Sequence, residues 1–478
     1  MKEESLTREQ ALAYPLTFRE SVLGDKAFYH RVATVVLPMI IQNTLSNVVS
    51  LLDNVMVGRV GTLPMSAVAI VNQLLFVFYV CSFGLLAGAG IYGTQFFGKG
   101  DYDGVRITIR FKIISGIVLC AGTIALLLGA GDTLIGLYIS DTTSAQDAAA
   151  TLTYAKQYLW IMLIGIVPFS LTQCLAGTMR ESGHTILPMK ASITAMLVNF
   201  ILNLILIFGY LGFPRLGVAG AAIATVISRF VELFIVVIGA KRKKNIYGYF
   251  DGLMKHFSIP KEMVGPLLQK SMPLFANEFL WSMAQALLLQ SYSVRGISAV
   301  AALNICFTVS NIFNEVFLSL GGAAGILIGQ ELGANRLVNG RRTAWRMAAL
   351  SASACVISGF LLFLVSPLIP MVYNTEPDIR LLATMCIRVV AVCMPINAFC
   401  NVSYFTLRAG GRMLVTFLFD FLFAWFGSVP LAFILTHFTD LPVTWCFACV
   451  SGIEFIKAVA GFFLVKRGAW VNNIVGTE

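Results

Sequence analysis

Apolar runs of about 20 residues recur along this chain, each closed by a short polar or basic break, and a run of that length is what an α-helix needs to cross a bilayer. Spans are expected near 33–57, 67–92, 111–131, 156–178, 187–211 and 217–240. A second set follows near 270–292, 298–328, 347–372, 383–407, 413–437 and 443–465. The pattern predicts an all-α polytopic membrane protein of twelve transmembrane helices. The expected segments are an N-terminal stretch 1–32, a first lobe 33–240, a linker 241–269, a second lobe 270–467 and a tail 468–478.

Composition supports that reading. The 478 residues are 58% hydrophobic and 12% charged, with a mean hydropathy of +0.81, whereas a soluble domain carries about 25% charged residues. The first thirty residues are mixed in charge and lack a compact apolar core with a small-residue cleavage site, so the first span itself is expected to direct insertion. All ten cysteines fall inside expected spans and read as small packing residues; Cys446 and Cys449 form a CxxC without ligand partners nearby in sequence. The net charge of +10 is not a nucleic-acid footprint, because its sharpest cluster, KRKK at 241–244, directly follows an apolar run. Such juxtamembrane clusters sit on the cytoplasmic side, near anionic lipid.

Charge also orients the chain. With span-end residues included, 26 Lys and Arg lie in the two termini and around the loops after spans 2, 4, 6, 8 and 10, against 6 around the other loops. Both termini are therefore expected in the cytoplasm, at a plasma or inner membrane. The halves repeat. Pro38, Gly61, Gly90, Gln95 and Gly98 match Pro273, Gly296, Gly325, Gln330 and Gly333 at one offset of 235, and SAVAIVN matches SAVAALN. Farther on, TMRESGH (178–184) matches TLRAGGR (406–412) at an offset of 228, which sets Arg229 opposite Lys457. Each copy holds an even number of spans, so the copies are parallel, an arrangement that belongs to transporters.

Two phosphate-binding patterns are decoys. GAGIYG (88–93) ends an apolar helix instead of following a strand, and GTQFFGKG (93–100) has Gly100 where a magnesium-ligating hydroxyl is required. Their glycines fit close helix packing better, so no nucleotide is expected. The four histidines, His30, His184, His256 and His437, lie near span ends or in loops, away from any expected metal site.

On these features the chain resembles the multidrug and toxic compound extrusion (MATE) transporters, over about residues 30–467. The carriers are LPMIIQNTLSNVVSLLDNVMVGRVG, GQELGANR, MRESGHTILPM, the stretch from Phe208 through GVAGAAIATVISR, and LRAGGR. The resemblance implies two pseudo-symmetric six-helix lobes around a central cleft and secondary active efflux, with bulky, often cationic organic compounds exchanged for H+ or Na+.

Asp53 stands in an otherwise apolar or small run, where a bare carboxylate at the membrane centre costs about 3 kcal/mol on insertion scales. Such a residue is paired, protonated or bound to a cation. Its counterpart in the second copy is Leu288, so the repeat fold does not itself require an acid. Asp53 lies fifteen residues past Pro38 and Asn203 fifteen past Pro188, both about 22 Å from the cytoplasmic side. Asn199 is one turn below Asn203, and Ala221 and Thr225 descend from the outer side at helical spacing to about the same level. One carboxylate with amide, hydroxyl and carbonyl oxygens suits a sodium ion or a proton on Asp53. The resemblance makes Asp53, Asn199, Asn203 and Thr225 the ion-coupling site, with Ala221 adding a backbone oxygen. Many relatives carry an aspartate at the position of Asn203, which leaves this chain a single formal charge there. The bland reading of Asn199 and Asn203 is interhelical hydrogen bonding.

The second lobe offers Glu278 (opposite Asn43), Glu315 and Asp420 as candidates for attracting a cationic substrate to the cleft. Arg229 with Glu232, and Lys457 with Glu454, read as i, i+3 pairs. The expected function is an antiporter acting as a monomer on small organic cations within the lipid bilayer. It would use no cofactor, no nucleic acid and no metal beyond sodium at Asp53. A flippase for lipid-linked substrates is the rival of the same architecture, and a membrane-embedded enzyme the rival of another class.

Overall fold

The computed structural model describes residues 6–139, 144–255, 257–373 and 375–476; His256 lies outside them, as do the extreme ends of the two terminal segments. Among the described residues the regular structure is helical. Two short helices, α1 (Arg8–Ala13) and α2 (Phe18–Val22), precede α3 (Lys26–Gly58), α4 (Thr62–Lys99), α5 (Tyr102–Gly136), α6 (Ala145–Glu181), α7 (Ile186–Phe208) and α8 (Val218–Arg242). The second half holds α9 (Lys261–Ser293), α10 (Ile297–Gly333), α11 (Leu337–Val365), α12 (Pro377–Ala409), α13 (Met413–Leu422), α14 (Val429–Phe438) and α15 (Val443–Arg467). A π-helical turn at Phe423–Ser428 joins α13 and α14 into one 26-residue stretch.

Twelve long helices therefore stand where the twelve spans are expected. Eleven are long and apolar enough to cross a membrane by length and composition. The twelfth, α9, has the length, but Lys261, Glu262, Lys270 and Glu278 dilute its apolar run. Several helices extend well past the expected boundaries. For example, α5 begins at Tyr102 and α11 at Leu337, although α11 stops at Val365, short of the expected 372, with a 3-10 turn at Pro370–Val372. Pro38, Pro168, Pro273 and Pro395 lie inside helices, which membrane helices tolerate when neighbours satisfy the freed carbonyls.

The chain divides into two compact units, 1–40 with 94–101 and 276–478, and 41–93 with 102–275. The switch points inside α3 and α9 are again 235 residues apart, each two residues past the matched proline. In the unit of residues 41–93 and 102–275, α8 packs on α6 and α7, and α5 on α6. Its core includes Val71, Leu75, Leu159, Met162, Ile166 and Ile207.

In the other unit α12 is the hub, touching α10, α11 and α15. Its core runs from Leu327, Leu332 and Met347 to Cys386, Met394 and Cys446. Here the ends of α4 and α10 cross with local two-fold symmetry. A side chain at Gly98 would strike the Gln330 backbone, and one at Gly333 the Gln95 backbone. The decoy stretch 93–100 is thus helical through Lys99, with its second glycine serving close approach. The terminal segments are packed as well: α1 and α2 lie on α11, and Trp470 and Val471 are fully buried. Gln95 holds the tail through Asn472 O (3.2 Å) and Ile474 N (2.8 Å), while Lys99 donates to Val475 O at 2.9 Å. All ten cysteines are free and eight are buried.

Candidate functional site

The α7–α8 seam and the facing turn of α3 assemble one polar cluster in an apolar setting. On α7, Asn199 and Asn203 fall one turn apart on the buried face. On α8, Ala221 and Thr225 do the same, in a first turn of small residues that lets α7 approach closely. Asn203 Nδ2 donates to Asp53 Oδ1 at 2.7 Å and to Asn199 Oδ1 at 3.1 Å. Asn199 contacts Thr225 Oγ1 at 3.2 Å, and Thr225 Oγ1 donates to the Ala221 carbonyl at 3.0 Å. Turning the Asn199 amide over satisfies both of its ends better. Its nitrogen then lies 3.0 and 3.1 Å from the two Asp53 oxygens, and its oxygen accepts from Thr225. All five residues named from the first lobe meet. Asp53 is half-buried, Asn199 and Asn203 are buried, and its hydrogen bonds come from neutral amides.

Tyrosines and a cation lie beside this cluster. Tyr158 of α6 donates to Asn72 Oδ1 at 3.3 Å. One turn along α8 from Thr225, Arg229 donates to the Gly165 carbonyl at 3.2 Å and to the Tyr79 hydroxyl. Its guanidinium stands 5.2 Å from the ring centres of both Tyr79 and Phe169.

A second cluster forms in the other unit. Lys457 Nζ of α15 reaches Asp420 Oδ1 of α13 at 2.8 Å, and Glu454 one turn back at 3.7 Å. Asn277 of α9 donates to Asp420 Oδ2 at 3.0 Å and approaches the Tyr404 hydroxyl at 3.4 Å. Glu278 is half-buried next to Asn277, within electrostatic reach of Arg408 and Asp420. Glu315 on α10 and Asn43 on α3 are also half-buried. The i, i+3 pairing expected for Lys457 is therefore secondary to Asp420, thirty-seven residues away in sequence.

The family model described as MatE matches residues 38–205 and 273–434, covering both copies of the repeat. The chain belongs to the MatE family. Among relatives of this MatE chain, the probable multidrug resistance protein YoeA of Bacillus subtilis is 25% identical over 414 residues, 85% of this chain and 86% of that one. The probable multidrug resistance protein NorM of Thermotoga maritima is 24% identical over 456 residues, 92% of this chain and 93% of that one. An outward-facing multidrug resistance MATE family transporter of the MOP superfamily shares the fold with a TM-score of 0.84 at 18% identity, over 96% of this chain and 99% of that one. A MOP superfamily transporter from Pyrococcus furiosus gives 0.83 at the same identity and coverage. The MatE chain is a multi-span membrane protein with the two-lobed architecture of these transporters.

Two charged groups of this MatE protein are more deeply involved than their sequence positions imply. Lys112, at the start of the expected span 111–131, is buried on α5, and its Nζ binds Glu181 at 2.7 and 2.5 Å and Thr178 at 3.2 Å. Its place in the second copy is Met347, a fully buried apolar residue. Tyr79, Tyr158 and Asn277 escaped the sequence reading altogether, because a lone tyrosine or asparagine in a span carries no periodic signal. Arg229 did carry one, as a cation inside a span.

Proposed function

We propose that this MatE chain is a secondary active antiporter that exports bulky cationic organic compounds in exchange for H+ or Na+ by alternating access. The carrying observation is the Asp53 cluster: a membrane-embedded carboxylate hydrogen-bonded by neutral amides and surrounded by further amide, hydroxyl and carbonyl oxygens. Asn203 Oδ1, buried in the same cluster, has no hydrogen-bond partner among the described residues. A donor-free buried oxygen next to an acid is a place a small cation satisfies. The multidrug names of the relatives support the substrate class.

Under this reading the ion binds Asp53 from outside and favours the state that releases substrate outward; its release inside resets the cycle. One pH unit is worth about 1.36 kcal/mol, so one-for-one exchange sustains roughly a tenfold substrate gradient. Electrogenic exchange adds about 2.3 kcal/mol per charge per 100 mV. The bias of Lys and Arg places both termini in the cytoplasm, in a plasma or inner membrane. The partners are small organic cations and the bilayer, and the chain acts as a monomer.

The test is efflux of a fluorescent organic cation from pump-deficient cells, with external pH and sodium varied separately. Efflux that follows one of the two ions and collapses in Asp53→Asn supports the proposal. A wild-type protein that moves none of a panel of cations contradicts it and turns attention to lipid-linked substrates.

A further inference from the structure

The two copies of the repeat use their basic ends differently. Arg106, near the start of α5, matches Arg341, near the start of α11, at the offset of 235. Each fastens a neighbouring segment by a main-chain carbonyl, Arg106 that of Gly248 at 3.3 Å and Arg341 that of Tyr14 at 3.0 Å. Arg110, one turn on, has no such counterpart, because its match is Trp345, which packs edge-on against Phe462. Arg110 also reaches carbonyls, those of Lys255 at 2.9 Å, Leu253 at 3.0 Å, Ser258 at 3.3 Å and Gly252 at 3.4 Å. Carbonyls are neutral acceptors, so they satisfy its donors without cancelling its charge.

Beside these contacts lies a cleft of about 490 Å³ lined by Asp103, Arg106, Arg110, Asp251, Gly252 and Lys255. Both acids are already paired, Asp103 with Arg106 and Asp251 with Lys244 at 3.2 Å. Lys255 is exposed, and among the described residues neither it nor Arg110 has a carboxylate partner. The cleft therefore keeps two uncancelled positive charges, and the exposed Lys241, Arg242 and Lys243 precede Lys244 in the chain. Its level is set by α5. Phe111, the residue after Arg110, opens the apolar run 111–131, so the cleft lies at the edge of the bilayer. Ile114, Ile117 and Val118 follow Arg110 at i+4, i+7 and i+8 on the same face of α5, and all three are exposed.

We propose that this cleft binds the headgroup of an anionic phospholipid, with the phosphate drawn to Lys255 and Arg110 and an acyl chain along Ile114, Ile117 and Val118. A charged recess at the membrane edge, continued by an apolar stripe into the bilayer, matches the two ends of one lipid molecule. A free phosphate would meet the charge but leave the stripe unused. On the orientation given by the bias of Lys and Arg, the lipid belongs to the cytoplasmic leaflet, which is the anionic one. Arg110 holds the carbonyls of four linker residues, so a lipid bound beside it fastens the linker to the membrane surface. The site is independent of the ion-coupling reading of Asp53.

The experiment is lipid binding to the purified full-length protein by native mass spectrometry, titrating phosphatidylglycerol and, separately, phosphatidylcholine. The first phosphatidylglycerol is expected to bind about tenfold more tightly than phosphatidylcholine. One basic side chain near the membrane surface is worth a factor of about five for anionic lipid. Lys255→Gln is therefore expected to weaken phosphatidylglycerol about fivefold, and the charge reversal Lys255→Glu about twenty-five-fold. Lys255 is exposed and makes no ion pair among the described residues, so these variants keep the fold. Lys241→Gln, an exposed cation outside the cleft, stays within about twofold of wild type. Equal or absent binding of the two lipids, wild-type affinity in Lys255→Glu, or as large a loss in Lys241→Gln as in Lys255→Gln overturns the site. Millimolar inorganic phosphate is expected to leave the bound lipid in place. If it displaces the lipid, the cleft is a free-phosphate site and the lipid assignment falls.

Discussion

In the unit that holds Asp420, the acid meets a lysine at 2.8 Å and an asparagine amide at 3.0 Å. In the unit that holds Asp53, the acid meets amides alone. The two arrangements come from one repeated sequence, so the difference is informative. A buried ion pair is self-sufficient once its lone pairs and protons are used. A carboxylate with only neutral donors keeps a standing demand for a cation or a proton. The first arrangement suits a support, the second a site whose charge changes during a cycle. Lys112 and Glu181 show that the Asp53 unit also contains a closed pair, fully engaged with Thr178. The contrast therefore lies between the groups and not between the units as wholes.

The largest expected effect is at Asp53. Asp53→Asn keeps the size and the hydrogen-bonding capacity but removes the charge, and ion-driven exchange in vesicles is expected to fall at least about a hundredfold. No second substitution nearby should restore it. The closed pairs predict the opposite pattern. Glu181→Leu leaves Lys112 without its acid and is expected to cost about 3–5 kcal/mol in thermal stability measured in detergent, while Asp420→Asn leaves Lys457 only the longer contact to Glu454 at 3.7 Å and is expected to cost about 2–4 kcal/mol. The paired changes Asp420→Asn with Lys457→Met, and Glu181→Leu with Lys112→Met, are expected to recover most of that loss. Recovery of stability without recovery of exchange would mean that Asp420 also has a transport role.

A smaller effect is expected at Asn203. Asn203→Ala removes one hydrogen bond to Asp53 and the donor-free oxygen, and should raise the ion concentration for half-maximal exchange by about tenfold, the equivalent of one hydrogen bond to a charged group. Smallest is the tail. Gln95→Ala removes contacts to Ala409, Asn472 and Ile474 and is expected to cost about 1 kcal/mol of stability while leaving ion dependence unchanged.

Much of this molecule was legible before its structure. The spacing of apolar runs predicts the twelve helices, and the offset of 235 predicts that Gly98 and Gly333 play equivalent parts, which the crossing of α4 and α10 displays. Depth counted from Pro38 and Pro188 was enough to bring Asp53 and Asn203 to one level, because helical rise is nearly constant. What escaped depends on rotation and on contacts between distant segments. Lys457 reads as the partner of Glu454 because i, i+3 neighbours are visible in sequence, whereas the contact with Asp420 depends on how α15 faces α13. The burial of Lys112 escaped because α5 begins nine residues before its apolar run, which places this residue well inside a helix and not at its end. The burial of Trp470 had no signal, since a short tail has no periodicity to read.

The most direct test of the central claim reconstitutes the protein in vesicles with an imposed sodium or proton gradient and follows a fluorescent organic cation. The prediction is that one of the two gradients drives wild-type transport, that dissipating it stops transport, and that Asp53→Asn is inert under both. Transport against a gradient by Asp53→Asn, at a rate near that of wild type, would contradict the account and make Asp53 a structural residue.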